Sequence, residues 1–175
     1  MQTLTRAGLL KLGVAAGLGA VPPSDSDLAY ARLLIATELL ADDFYTRALA
    51  TKVAHVSTLH ESRANERAHY AGLAALMHEN GQTPAQAGDI DFSYPQGAFS
   101  DAGSIWKLGK ALETLQLGAY LGATDGLTSE PLRGIVSRIA ANEAQHLTLF
   151  TPVRPSFPVA LTIEQASDAL GAYTS

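Results

Sequence analysis

The sequence predicts an all-α protein: a four-helix bundle with a long crossover between its second and third helices, and a short C-terminal helix. Apolar residues make up 47% of the chain and aromatic residues 7%. Ala and Leu dominate the apolar class, which favours helix over strand. Apolar residues also recur at three- and four-residue spacing through four long segments. A chain of 175 residues is long enough for one such domain to bury a substantial core.

The first two predicted helices form a hairpin. The first covers residues 26 to about 54, and the second begins at Thr58, where Glu61 completes the pattern of a capping box. The second helix ends at Asn80-Gly81, a typical stop signal. The segment that follows is rich in glycine and proline and has no helical period. It is long for a loop, so we expect it to return along the bundle as a crossover.

The third and fourth predicted helices form a second hairpin. The third covers residues 102–123, and the turn at residues 125–131 contains Ser129 as a candidate N-cap. The fourth ends at about Phe150, because three prolines between residues 152 and 158 prevent a further long helix. A short helix at residues 162–170 closes the chain.

These elements predict three regions: residues 1–24 as an export-signal-like N-terminus, 25–150 as the bundle, and 151–175 as a proline-rich tail. The N-terminal region has Arg6 and Lys11, no acidic residue, and the apolar run LGVAAGLGAV, which is too short and glycine-rich for a membrane span. Its TRAGLLK stretch resembles the twin-arginine export motif, with Ala7 in place of the second arginine. We therefore expect export to the periplasm or cell-wall space; a cytoplasmic protein with a disordered or docking N-terminus is the alternative.

Charge and cysteine content exclude several classes of function. The net charge is -5 and no basic run is present, so nucleic acid is not an expected partner. The chain has no cysteine, which excludes disulfides, thiolate zinc sites, iron–sulfur clusters and cysteine nucleophiles. Any bound metal must be held by Glu, Asp and His.

One motif occurs twice. The stretches ANERAH and ANEAQH each contain an Asn followed by a Glu-x-x-His pair, and they lie 77 positions apart. The first and third helices also match, since each has a Glu followed by a Tyr seven residues later, at an offset of 75. The residues of this duplicated pattern are Glu38, Tyr45, Asn65, Glu66 and His69 in the first half and Glu113, Tyr120, Asn142, Glu143 and His146 in the second.

Helix geometry brings these residues together. A Glu and a His three apart lie about 60° from each other on one helix face, and residues seven apart lie within about 20°. The midpoint between Glu113 and Glu143 falls in the predicted turn, and that between Glu38 and Glu66 falls near the other turn. All four carboxylates can therefore lie in one layer of the bundle.

Two Glu and two Glu-x-x-His pairs facing inward are the ligand inventory of a dinuclear carboxylate site. A single Glu-x-x-His on an amphipathic helix is weak evidence for metal binding, but two matched copies with two further Glu residues are much stronger evidence. Without metal, four carboxylates and two imidazoles in an Ala- and Leu-rich interior would be costly to bury. The sequence therefore predicts metal ligands at Glu38, Glu66, His69, Glu113, Glu143 and His146. Tyr45, Tyr120, Asn65 and Asn142 are expected to contact those ligands without binding the metal.

Other polar residues have simpler interpretations. We expect His55, His60 and His78 at the surface, and Asp42 and Asp43 in solvent, although Asp42 is one turn from Glu38 and could contact a ligand. Trp106 is expected in the core or at an interface.

At these positions the sequence resembles the ferritin-like superfamily over residues 25–150. ELLADDFYTRAL, which begins at Glu38, is similar to the first helix of bacterial ferritin-like-domain proteins, the group that includes desiccation-related proteins. The resemblance implies that Glu38 and Glu113 are terminal ligands and that Glu66 and Glu143 are bridging ligands. It also implies one imidazole per metal, with the amide oxygen of Asn65 accepting from the free ring N–H of His146 and that of Asn142 from the ring N–H of His69.

The resemblance further implies two iron ions, with manganese as the alternative metal, and O2 or peroxide as the partner. Ferroxidase or peroxide-scavenging activity is the leading expectation. The alternatives are a manganese catalase-like enzyme and a non-enzymatic stress or desiccation protein with a structural metal site. A homodimer is compatible with the sequence. The absence of cysteine excludes the cysteine-ligated iron domain of rubrerythrins.

Overall fold

The computed structural model describes residues 23–51, 56–151 and 158–175. The helices in the described ranges are α1 (Asp25–Ala50), α2 (Val56–Glu79), α3 (Ala102–Gly126), α4 (Glu130–Phe150) and α5 (Ile163–Gly171). Helices α1 and α2 pack as one hairpin and α3 and α4 as a second, and α1–α3 and α2–α4 contacts join the two. The predicted all-α bundle is confirmed.

Some predicted features lie outside the described residues. These are nearly all of the export-signal-like segment, the predicted end of the first helix at Ala54, and His55. Within the described ranges, no helix is long and apolar enough to cross a membrane.

The start of α1 is fixed to the opposite hairpin. Ser24 caps the helix and forms a capping box with Asp27. The buried Asp27 carboxylate also accepts from the backbone N–H and the hydroxyl of Thr128, both at 2.7 Å. Because Thr128 lies in the α3–α4 turn, these bonds hold the two hairpins together at one end of the bundle.

The two predicted caps have different outcomes. Helix α2 already includes Val56, so Thr58 lies inside the helix and cannot cap it. Ser129 does occupy the N-cap position of α4, but its side chain makes no capping hydrogen bond. Pro131 in the first turn lacks an N–H, which leaves one fewer donor there to satisfy.

The crossover between α2 and α3 follows the bundle, as predicted. Tyr94 donates to Asp43 on α1 at 2.8 Å, and Tyr70 on α2 donates to the backbone oxygen of Ala85 at 3.0 Å. The C-terminal residues pair with the crossover, since the Ser93 N–H donates to Tyr173 at 2.8 Å.

The segment before α5 crosses α3 at a very close approach. The Leu161 N–H donates to the backbone oxygen of Gly118 at 2.9 Å. A Cβ atom built on Gly122 would lie 1.7 Å from the carbonyl oxygen of Leu161. A residue without a side chain is therefore required at position 122.

We predict that Gly122→Ala lowers the melting temperature, because the Leu161 backbone must move away from α3. Gly134→Ala on α4 is the matched control, since an added Cβ there meets nothing within 4 Å. That control should be stabilising by roughly 0.5–1 kcal/mol through helix propensity. Differential scanning calorimetry measures both. Equal stabilisation by the two substitutions would contradict the close approach.

Candidate metal centre

A polar layer lies inside the bundle between two apolar clusters. One cluster includes Leu34, Leu73 and Val136, and the other includes Phe44 and Ile105. The layer is formed by Glu38 on α1, Glu66 and His69 on α2, Glu113 on α3, and Glu143 and His146 on α4. Each of these six side chains is at most 3% exposed. The structure thus brings together all six residues predicted as ligands.

The six side chains form two overlapping groups. In each group the candidate ligand atoms lie within 4.8 Å of one another. We call them the His69 position, with Glu38, Glu66, His69 and Glu143, and the His146 position, with Glu66, Glu113, Glu143 and His146. Glu66 and Glu143 belong to both groups. A carboxylate shared in this way could bridge two ions.

The inner atoms of the layer are left without hydrogen bonds. Among the described residues, the buried side-chain atoms that lack a hydrogen-bond partner are Glu38 Oε2, Glu66 Oε1, His69 Nδ1, Glu113 Oε2 and Glu143 Oε1. All five belong to this layer. Buried polar atoms are normally paired because burying them unpaired costs free energy. This donor set therefore fits a pair of metal ions.

Each imidazole approaches a carboxylate of the opposite hairpin. The distance from His69 Nδ1 to Glu143 Oε1 is 2.7 Å, and that from His146 Nδ1 to Glu66 Oε1 is 2.6 Å. Neither contact has hydrogen-bond geometry, since both carboxylate oxygens remain unpartnered. The Nδ1 atoms thus face the same space as the unpartnered oxygens.

The two tyrosines also pair across hairpins. Tyr45 on α1 donates to Glu113 on α3, and Tyr120 on α3 donates to Glu38 on α1. Burial and nearby carboxylates raise the pKa of both tyrosines well above the usual value. Both phenols therefore remain protonated donors and hold the two carboxylates in place.

Asn65 and Asn142 make the crossed contacts that the resemblance implied. Asn142 Oδ1 lies 2.9 Å from His69 Nε2, in position to accept its proton. Asn65 Nδ2 lies 3.1 Å from His146 Nε2, so here the amide nitrogen faces the ring, whereas an acceptor oxygen was expected. This arrangement suits the tautomer in which His146 Nδ1 donates to Glu143 Oε2, at 3.2 Å. A proton on Nε2 would require the amide to turn end for end.

Gln116 on α3 is a contact that the sequence prediction missed. Its side chain is buried, and its amide nitrogen donates to Glu38 Oε1 at 3.1 Å and to Glu66 Oε2 at 2.9 Å. The available signal was its spacing, three residues after Glu113 and thus on the same helix face. It was missed because it has no counterpart in the first half of the repeat.

The remaining candidates lie away from the layer. Asp42 pairs with Arg63 at 2.8 Å and Asp43 with Arg47 at 2.7 Å, so neither contacts a ligand. His60 and His78 are exposed, as predicted. Trp106 is half-buried and its ring packs against Phe150.

Electrostatics in the metal-free layer favour bound protons. Burial, reinforced by the Glu66 charge, raises the pKa of Glu38 and Glu113 well above 4.5. Burial alone would lower the pKa of His146, but contacts with Glu143 and Glu66 outweigh it and raise the pKa to about 11. Burial opposes ionisation of Glu66 too, yet the two imidazoles lower its pKa.

Comparison with protein families agrees with this geometry. A family model described as a ferritin-like domain matches residues 26–154. The chain belongs to the ferritin-like domain family. A search of curated proteins gave no match. For this ferritin-like domain protein, the fold and the buried carboxylate–histidine layer suggest metal binding, and the assignment of individual ligands stays a prediction.

We predict that the metal-free protein becomes less stable as pH rises. The folded-state pKa values of Glu38, Glu113 and His146 lie above their unfolded values, so the folded chain holds more protons and loses stability as they dissociate. For His146 this interval runs from 6.5 to about 11. Thermal melts followed by circular dichroism measure the effect. The melting temperature of His146→Gln should fall less steeply with pH than that of the wild type. A melting temperature that rises with pH across this interval would contradict it.

A second prediction concerns the crossed amides. Asn142→Leu removes the acceptor for His69 Nε2 and should weaken metal binding by roughly 10–100-fold, the usual effect of losing such a partner. Asn142→Asp keeps an acceptor oxygen and should preserve binding. Titration with Mn(II) by calorimetry measures both variants. Wild-type affinity in the leucine variant would show that the contact does not orient the ring.

Proposed function

We propose that the protein binds two iron ions in this layer and oxidises Fe(II) with O2 or peroxide. The observation that supports the proposal most strongly is the set of five buried, unpartnered atoms in two groups that share Glu66 and Glu143. Carboxylate and imidazole ligands suit iron or manganese. Ferroxidase or peroxide-scavenging activity is the function that follows.

When bound, two Fe(II) ions would supply the two electrons that, with two protons, reduce one hydrogen peroxide to two waters. The residues of the chain would hold the ligands in position and exclude solvent from the metal ions. Tyr45 and Tyr120 hold Glu113 and Glu38, and the carboxylates are at most 1% exposed. Only a small oxidant can enter a layer this buried.

On the side of the layer between α2 and α4, the C-terminal helix does not cover the imidazoles. Asn65 and Asn142 are partly exposed there and contact the imidazoles directly. The opposite side is covered by α1, α3 and the C-terminal segment, which packs on both of those helices. We infer that metal ions and oxidant enter past the two asparagines.

Export of the protein also remains a proposal, supported by Arg6, Lys11 and the short apolar run after them. Iron acquired outside the cytoplasm and peroxide from the surroundings would then be the reactants.

The proposal predicts that protein loaded anaerobically with Fe(II) is oxidised rapidly by peroxide, measured by stopped-flow absorbance. Glu66→Ala should abolish this oxidation and the binding of two ions, because Glu66 belongs to both metal positions. Tyr45→Phe should keep the stoichiometry and change the rate. The exposed Glu61→Ala is the matched control and should behave as wild type.

Three outcomes would contradict the proposal. Oxygen release from peroxide with bound manganese would indicate a catalase-like enzyme. Tightly bound metal that does not react with either oxidant would indicate a structural site in a stress protein. A Glu66→Ala variant with unchanged binding would show that the ions bind elsewhere.

A further inference from the structure

Gln116 breaks the internal symmetry of the metal centre. The first half of the repeat has Ala41 at the corresponding place, 75 positions before Gln116, and Ala41 is also buried. Ala41 has no polar side chain. A donor that contacts Glu38 and Glu66 on one side of the layer is therefore missing on the other.

The other supporting contacts occur in pairs. Tyr120 bonds to Glu38 as Tyr45 bonds to Glu113. Asn142 contacts His69 as Asn65 contacts His146. Among the described side chains that contact the six predicted ligands from outside that set, Gln116 is the one whose contact has no counterpart in the other half.

We propose that Gln116 is a positioning residue that makes the His69 position bind its metal ion first and more tightly. This inference rests on the proposed two-metal site. The two N–H groups of one amide hold Glu38 and Glu66 together, so these two carboxylates are fixed before a cation arrives. Ligands already fixed in the bound arrangement cost less free energy to order.

The contact pattern leaves the metal-facing atoms available. Gln116 donates to Glu38 Oε1, whereas the unpartnered atom is Glu38 Oε2. On Glu66 the amide uses Oε2, and a carboxylate oxygen has a second lone pair. The positive end of the amide dipole opposes a nearby cation, but this end carries only a partial charge. The same amide holds two carboxylate ligands in place for that cation.

The His146 position has no comparable restraint. Glu113 accepts from Tyr45, but no described side chain connects Glu113 to Glu66 or to Glu143 by donating to both. Glu66 is shared by both positions, but Glu113 and Glu143 are not joined to it by a common donor. The cation must therefore set the arrangement of these carboxylates relative to one another, and we expect this position to bind second.

The test is calorimetric titration of metal-free protein with Co(II), a probe that air does not readily oxidise at such sites. Wild type should show two binding steps. His69→Ala should lose the tighter step and His146→Ala the weaker one. Gln116→Met, which keeps the size but removes the donor, should weaken the tighter step by roughly 10–100-fold, so that the two steps merge.

Two further variants make the result specific. Gln116→Ala reproduces the residue of the other half-repeat and should give the same merged titration if the methionine variant packs poorly. Gln145→Met, on the exposed face of α4, should leave both steps unchanged. Far-UV circular dichroism confirms that each variant is helical.

The failures are distinguishable. Two equal steps in wild type, or a tighter step lost in His146→Ala, would overturn the role of Gln116 and leave the two-metal site standing. If the two Co(II) binding steps differ in affinity as much in both Gln116 variants as in wild type, the role of Gln116 is likewise overturned and the two-metal site still stands. No Co(II), Mn(II) or Fe(II) binding by wild type would overturn the proposed function itself.

Discussion

Burial of four carboxylates and two imidazoles in one apolar interior is the constraint on which the rest of this structure depends. Each charge removed from water without compensation costs several kcal/mol. The protein reduces that cost by pairing the outer atoms of the layer, which are those that do not face the space between the ligands. Tyrosine, asparagine and glutamine side chains contact these outer carboxylate and imidazole atoms. The five inner atoms are left unpaired. Protons can compensate part of their charge, and two cations would compensate it more fully.

The pairing of these outer atoms joins the two hairpins. Tyr45 and Tyr120 each bond to a carboxylate on the other hairpin, and Asn65 and Asn142 each contact an imidazole on the other hairpin. Neither hairpin can form a complete metal position alone, since Glu66 and Glu143 belong to both. The site therefore forms only when the hairpins dock, and the Asp27–Thr128 bonds hold that docking at one end.

The fold and the composition of the layer could be predicted from sequence because both depend on periodic patterns. Glu and His three residues apart must share a helix face, and the turns place Glu113 level with Glu143. The features that the prediction missed were not part of the repeat. Gln116 has Ala41 as its counterpart, so the repeat gave no signal there. Thr58 had the pattern of a cap, but the pattern does not say where a helix starts, and α2 already includes Val56.

Anomalous diffraction from crystals soaked in Mn(II) tests most directly whether this layer is a two-metal centre. Two peaks are expected between α1, α2, α3 and α4, both beside Glu66 and Glu143, with one next to His69 and the other next to His146. A layer without a peak, or manganese bound only by exposed acidic residues, would contradict the assignment.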